Sequence, residues 1–383
     1  MTVNGSLRFS RYVLRPKSQK DRERLWSAEG LTAVVPMDCY LGIASLPFKL
    51  TPAAMLEVAY WAQNQPSYQA AEDAILKTMG IKINDDTVRL ASNAVGGMVF
   101  ERDCEIAQEA YERLCSGKLS FPSRRKEGIL YIETDGAALN TRQKNKGGST
   151  WLENKLGVVF SSDNMRFLTD KHGRRQGQIT KREYVSFVGG VDEFKKHLFA
   201  CAVRNGYGKY KKTIILSDGA AWIRNMKEEM FPDAQQILDY YRLCENVDVF
   251  AKHVYGMDES KYKPWSERIC AELKAGRFEG VLAELEKTDQ RAATSSPVNL
   301  HRYISNNKNA IDYAEYTKNG YLIGNGAVEG ANKTILQQRL KQAGMRWNPE
   351  TAQCLLTLKA KHESGLWLRD VASLVASRFA PSV

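Results

Sequence analysis

The sequence predicts a mixed α/β fold with a helical insertion, and three observations predict it. Between residues 129 and 238, strand-like apolar runs are interrupted by one long amphipathic stretch, an order that belongs to mixed sheets rather than to bundles or sandwiches. The stretches on either side, 52–115 and 245–318, carry helical periodicity. Hydrophobic residues make up 43 % of the 383 residues, which is enough for a packed core, and the length suits two or three domains.

The elements follow in order. Residues 6–50 read as β-rich, because SLRFSRYVL and LTAVVPMDCYLGI are rich in β-branched and aromatic residues around a charged linker, RPKSQKDRER. Thr51-Pro52 is a helix-start signal and opens AAMLEVAYWAQ. SYQAAEDAILKTMG gives a second helix ending at Gly80, and Asp85-Asp86 opens a third, TVRLASNAVGGMVFE. Two short helices followed by one with Thr87, Arg89 and Ser92 near its start suggest a helix-turn-helix-like DNA-binding region over 51–124. After the basic linker 117–128 come the strands GILYIETDGAALNT, WLENKLGVVFSS and REYVSFVGG. The amphipathic helix VDEFKKHLFACAVRNGY is next, then KKTIILSDGAAWI as a buried strand running into a helix, and AQQILDYYRL as a further strand. This is the order expected of an RNase H-like core, its first part at 125–245 and its last helix at 323–383, with a helical insertion at 246–322 between them.

Fifty-five Lys and Arg stand against 44 Asp and Glu, a net charge of +11 that suits an anionic partner, for which nucleic acid is the expectation. The seven cysteines form no C-x-x-C pair, so zinc-ribbon and thioredoxin-like chemistry are excluded, and their scatter reads as reduced thiols in a cytoplasmic protein. No uncharged apolar run is long enough to span a bilayer, and the start lacks the apolar stretch of a signal peptide, so no membrane partner is expected. The five histidines show no H-x-x-x-H or H-E-x-x-H spacing, which disfavours a zinc hydrolase.

Three carboxylates carry the candidate chemistry. Asp135 closes the apolar run ILYIETD and Asp218 closes IILSD, and each is followed by Gly-Ala-Ala. Acids leaving strands of an α/β sheet face the crevice where ligands bind, and a following glycine allows close approach of a substrate backbone. The alternative is that each aspartate only caps a turn or a helix. Glu329 sits among three glycines in GNGAVEGAN, where a helix starts. Downstream, Lys333, Arg339, Lys341 and Arg346 offer phosphate-binding charge and Trp347 a stacking face. Glu133, two residues before Asp135 and on the same face of the strand, is either an auxiliary acid or a solvent-facing residue. A glycosidase built on Asp135 and Asp218 is disfavoured by the net charge and by the lack of an aromatic cluster beside either acid.

TDGAAL, LSDGAAWI, LDYYRLCENV and GNGAVEGANKTILQQRLKQAGMRW, spread over about 129–367, resemble the signature blocks of DDE-class insertion-sequence transposases, most of all the ISKra and ISLre groups. The resemblance implies an RNase H-like fold in which Asp135, Asp218 and Glu329 hold two divalent ions, Mg²⁺ or Mn²⁺. It implies transposition by cleavage of DNA at terminal inverted repeats and joining of those ends to target DNA, by a homo-oligomer assembled on DNA in the prokaryotic nucleoid. Hard Mg²⁺ prefers oxygen ligands, and two ions sharing carboxylates serve in-line phosphoryl transfer. Where such transposases often carry D-x-x-H, this chain reads Asp239-Tyr240-Tyr241-Arg242, and an arginine pairs with phosphate but does not bind metal. A cysteine-bearing ribbon often precedes PMD-x-x-LG in relatives, whereas here VVPMDCYLG stands with Cys39 alone. Two other readings stay open: a domesticated or inactive DNA-binding relative, and an RNase H-like nuclease or resolvase.

Overall fold

The computed structural model describes residues 11–29, 32–40, 50–145, 147–169, 175–288 and 295–379. Much of the expected β-rich N-terminal segment, 1–10 and 41–49, lies outside them. In the described part of 6–50 the charged linker is instead a helix, α1 (Gln19–Glu29), followed by the short α2 (Pro36–Tyr40). Ser18 is the reason: its hydroxyl accepts the Asp21 N–H, which caps a run of helix-forming charged residues. Strand pairing there is limited to the single bridge Leu14–Val34.

Three helices follow where the sequence places them. In α3 (Pro52–Asn64) Thr51 caps the first turn and Pro52 opens it; Ser67 caps α4 (Tyr68–Met79), which stops at Gly80 in the left-handed conformation. Asn84 caps α5 (Asp85–Cys115), which at 31 residues is about twice the expected length. Val88, Ala91, Val95 and Val99 form its buried stripe, and Ser92 lies within it with no exposed surface. Ser92 is therefore packed inside the protein rather than presented to DNA, while Arg89 pairs with Asp86.

The apolar runs from 126 to 238 form a five-stranded mixed sheet. Its strands are β1 (Lys126–Asn140), β2 (Trp151–Ser161), β5 (Glu183–Val188), β6 (Tyr210–Ser217) and β7 (Gln235–Leu238), in the order β5-β2-β1-β6-β7. β2 runs antiparallel to β1 and β5, whereas β6 runs parallel to β1 and β7. The ribbon β3 (Met165–Thr169) and β4 (Arg175–Ile179) stands apart from it. Alternation along β1 divides two cores. Leu130 and Ile132 pack with α6 (Val191–Arg204) and α7 (Ala221–Met230) on one face, while Tyr131, stacked on Phe160, joins the larger core on the other.

The expected strand AQQILDYYRL is only half a strand. Asp239 accepts the N–H groups of Tyr241 and Arg242 and so caps α8 (Tyr240–Tyr255), which places Arg242 in a helix's first turn rather than at a strand end. Helices α9 (Glu259–Lys274), α10 (Phe278–Lys287), α11 (Leu300–Asn306) and α12 (Tyr313–Lys318) continue the helical stretch. The chain then returns to the sheet as α13 (Gly326–Ala331), which passes through a π-helical stretch, Asn332–Gln337, into Gln338–Leu340. Last come α14 (Pro349–Glu363) and, after a second π-helical stretch, α15 (Ser373–Arg378). α14 seals the edge strand: Gln353 accepts the Val188 N–H and donates to Ser186, and Ser364 accepts the Tyr184 N–H. Among the described residues no helix is long and apolar enough to cross a membrane.

Candidate active site

The parallel register of β1 and β6 brings the two aspartates together. Their ladder ends with Glu133 opposite Leu216, and two residues further along each chain stand Asp135 and Asp218, at the same level at the carboxyl end of β6. Neighbouring strands lie about 4.8 Å apart. β6 stops there because Gly219 turns the chain at φ +82°, where a Cβ would meet Leu238 at 2.7 Å. Tyr303 from α11 pins the turn by donating its hydroxyl to the Asp218 carbonyl at 2.7 Å, and the Asp218 carboxylate accepts the Ala220 N–H. Asp135 does not end its strand as expected. β1 continues to Asn140 against β2, and what ends beside Asp135 is the pairing with β6.

Glu133 and Asp135 share the face on which α13 docks. Glu133 is fully buried and accepts the Val328 N–H at 2.9 Å, so its carboxylate caps the first turn of α13; the solvent-facing alternative is excluded. Burial pushes its carboxyl up to about 8, against the pull of the Val328 and Ala327 N–H donors, and the charges of Asp239 and Glu329 add to the rise. Asp135 accepts the Gly136 N–H and, at 2.8 Å, the side-chain N–H of Asn332, which opens the π-helical stretch three residues beyond Glu329. Burial raises the Asp135 carboxyl above its ordinary range, the Gly136 N–H lowers it, the Asp218 charge raises it and Arg242 lowers it. Glu329 is exposed. Partial burial and the charges of Asp239 and Glu245 raise its carboxyl, Lys333 opposes them, and Asp135 adds to the rise. Asp135 thus lies within electrostatic reach of both Asp218 and Glu329, with the buried acids Glu133 and Asp239 close behind.

The basic residues separate into two groups. Arg242 is exposed, pairs with Glu245 at 2.7 Å and stands in the field of Asp218 and Asp135. Lys333, Lys341 and Arg346 are exposed. Arg339 and Trp347, expected to meet phosphate and bases, do neither, because both are buried. Arg339 donates to the carbonyls of Ala62 and Pro66 and lies against the rings of Tyr68 and Trp347, and the Trp347 indole N–H donates to the Leu340 carbonyl. Arg89 belongs to the helical layer around α5.

Sequence reasoning passed over Asn332 and Tyr303. Asn332 was visible as the third residue after Glu329, the spacing of one helical face; Tyr303, in the helical stretch far from either aspartate, left no signal. Among the described residues no three Asp, Glu, His or Cys side chains converge closely enough to hold an ion by themselves. The donor chemistry nevertheless suits a hard cation, since Asp135 and Glu329 have raised proton affinity and, among the described residues, the buried Asn332 side-chain oxygen beside Asp135 has no hydrogen-bond partner. A search among curated proteins finds no match. Residues 64–374 match the family described as Uncharacterised protein family (UPF0236), and the chain belongs to that family.

Proposed function

We propose that this chain is a DDE-class DNA transposase that cleaves the ends of its element and joins them to target DNA. The observation that carries this reading is that Asp135 and Asp218 each stand two residues beyond the last pair of the parallel β1–β6 ladder, with the first turn of α13 bringing Glu329 within electrostatic reach of Asp135. Further support comes from the strand order, in which three antiparallel strands are followed by two parallel ones at the far side of the first, as an RNase H-like sheet requires.

Asp135 and Asp218 would hold divalent metal, Mg²⁺ or Mn²⁺, with Glu329 completing the set. Bound there, the metal supplies Lewis acidity for attack on a phosphodiester by water or a 3′-hydroxyl. The chain itself does the positioning. Asn332 orients the Asp135 carboxylate, Tyr303 and Gly219 fix the Asp218 turn, and Glu133 anchors the helix that bears Glu329. Arg242 keeps its charge at any physiological pH and stands where it neutralises a phosphate near the carboxylates. DNA enters across a surface bearing Lys333, Lys341 and Arg346. The helical layer α3–α5 is the place for recognition of terminal inverted repeats, and assembly as a homo-oligomer on DNA in the nucleoid belongs to the same reading.

The test is a strand-joining assay with pre-cleaved oligonucleotide ends. Joining that requires Mg²⁺ or Mn²⁺ and is lost in Asp135→Asn, Asp218→Asn and Glu329→Gln is the expected result. Cutting without joining would favour a nuclease or resolvase. DNA binding with neither activity would favour an inactive relative, the reading that Arg242 in place of histidine keeps open.

A further inference from the structure

At the far end of β1 from the ladder with β6 lies a cavity of about 380 Å³, lined among others by Asn140, Trp151, Leu340, Lys341, Met345 and Arg346. Asn140 and Trp151 form the last pair of the β1–β2 ladder. The loop after Leu340 is fastened to that end of the sheet, since Trp347 donates its N–H to the Asn140 carbonyl and accepts the Arg142 N–H. Gly344, at φ +77°, makes the turn. The cavity is therefore held open by backbone pairing rather than by mobile side chains.

Two properties of its lining point to an occupant. Trp151 is 50 % exposed, and among the described residues no ring or cation covers its indole and no group accepts its N–H. Lys341 and Arg346 are exposed, and among the described residues no acid lines the cavity and neither cation has an acidic partner. An open aromatic face flanked by unneutralised cations matches a nucleobase with its phosphate. Bases inside a duplex are stacked on one another, so only an unpaired nucleotide offers such a face. The position agrees with this, because Asn140 follows Asp135 by five residues along β1, roughly 17 Å at strand rise.

We infer that this cavity binds an unpaired nucleotide of a DNA strand, its base stacked on Trp151 and its phosphate held by Lys341 and Arg346. The inference rests on the reading of the chain as a DNA-processing enzyme, and it adds a site that sets where a strand turns single-stranded relative to the carboxylates.

The experiment measures dissociation constants by fluorescence anisotropy, without divalent metal, for three probes: a blunt duplex, the same duplex with a short single-stranded extension, and that extension made abasic. The full-length chain should prefer the extended duplex about tenfold over the blunt one, and the abasic probe should bind like the blunt one. Trp151→Ala should remove the preference and Trp151→Phe should keep most of it, while Lys341→Ala with Arg346→Ala should weaken all three probes. A preference that survives in Trp151→Ala or with the abasic extension overturns the inference and leaves the transposase reading standing. Equal affinity of the parent for blunt and extended duplexes overturns it in the same way. Failure of the parent to bind any of the probes overturns both.

Discussion

The two halves of the chain between residues 326 and 347 both carry cations that the sequence offers to phosphate, one in the first half and three in the second, and they differ in use. The first half docks on the acid-bearing face of β1: Glu133 caps its first turn, Asn332 holds Asp135, and Glu329 and Lys333 are exposed. The second half is divided: Lys341 and Arg346 are exposed, while Arg339 and Trp347 turn inward. Arg339 ties the sheet-packed helix to the carbonyls of Ala62 and Pro66 and lies against Tyr68 and Trp347. A run of Lys and Arg in a sequence thus fixes neither exposure nor partner, because a guanidinium is as well satisfied by buried carbonyls and ring faces as by phosphate.

The largest effects separate the halves by what is lost. Glu329→Ala should lower strand joining by roughly a thousandfold, the scale of removing one charge-stabilising group from an active site, with thermal stability close to the parent's. Arg339→Ala should do the reverse, costing about 2–4 kcal/mol in denaturant unfolding, because two carbonyls and two ring faces lose their partner. A stable Arg339→Ala protein with weakened DNA binding would collapse the distinction.

A smaller effect concerns a buried basic group on the opposite edge of the sheet. His197 stacks on Phe100 and lies 3.6 Å from the Cys104 sulfur, and burial lowers its pKa from the ordinary 6.5. The neutral ring is the folded form, so the unfolded chain binds the proton more readily. The contribution is full above about pH 6.5 and is lost as the pH falls through the lower folded value. Melting temperature followed across about pH 5 to 8 should fall on the acid side, and His197→Phe should flatten that limb. An unchanged acid limb would show that other groups set it.

The smallest effect belongs to the exposed cations. Lys341→Ala should change stability by no more than about 0.5 kcal/mol, while the slope of log affinity for DNA against log salt should shrink by about one. An unaltered slope would remove Lys341 from the DNA surface.

Chemistry that depends on neighbours along the chain was legible in the sequence. The cap at Thr51, the Gly80 stop, the strand runs and the turn at Asp218-Gly219 are settled within a few residues of themselves. The same locality misread two segments. The cap at Asp239 outweighs the β-propensity of Tyr240 and Tyr241, and the cap at Ser18 makes a helix of a charged stretch that composition assigns to a linker.

By itself the sequence determined the mixed α/β character and the three acids beside glycines. Only the tertiary structure decided that the parallel register sets Asp135 level with Asp218, that Glu133 is spent on a helix end, and that Arg339 and Trp347 face the core. The physical reason is range. Caps and turns are closed by atoms a few residues away, whereas strand register, burial and the field at a carboxylate are sums over partners far apart in the chain, and no local pattern encodes them.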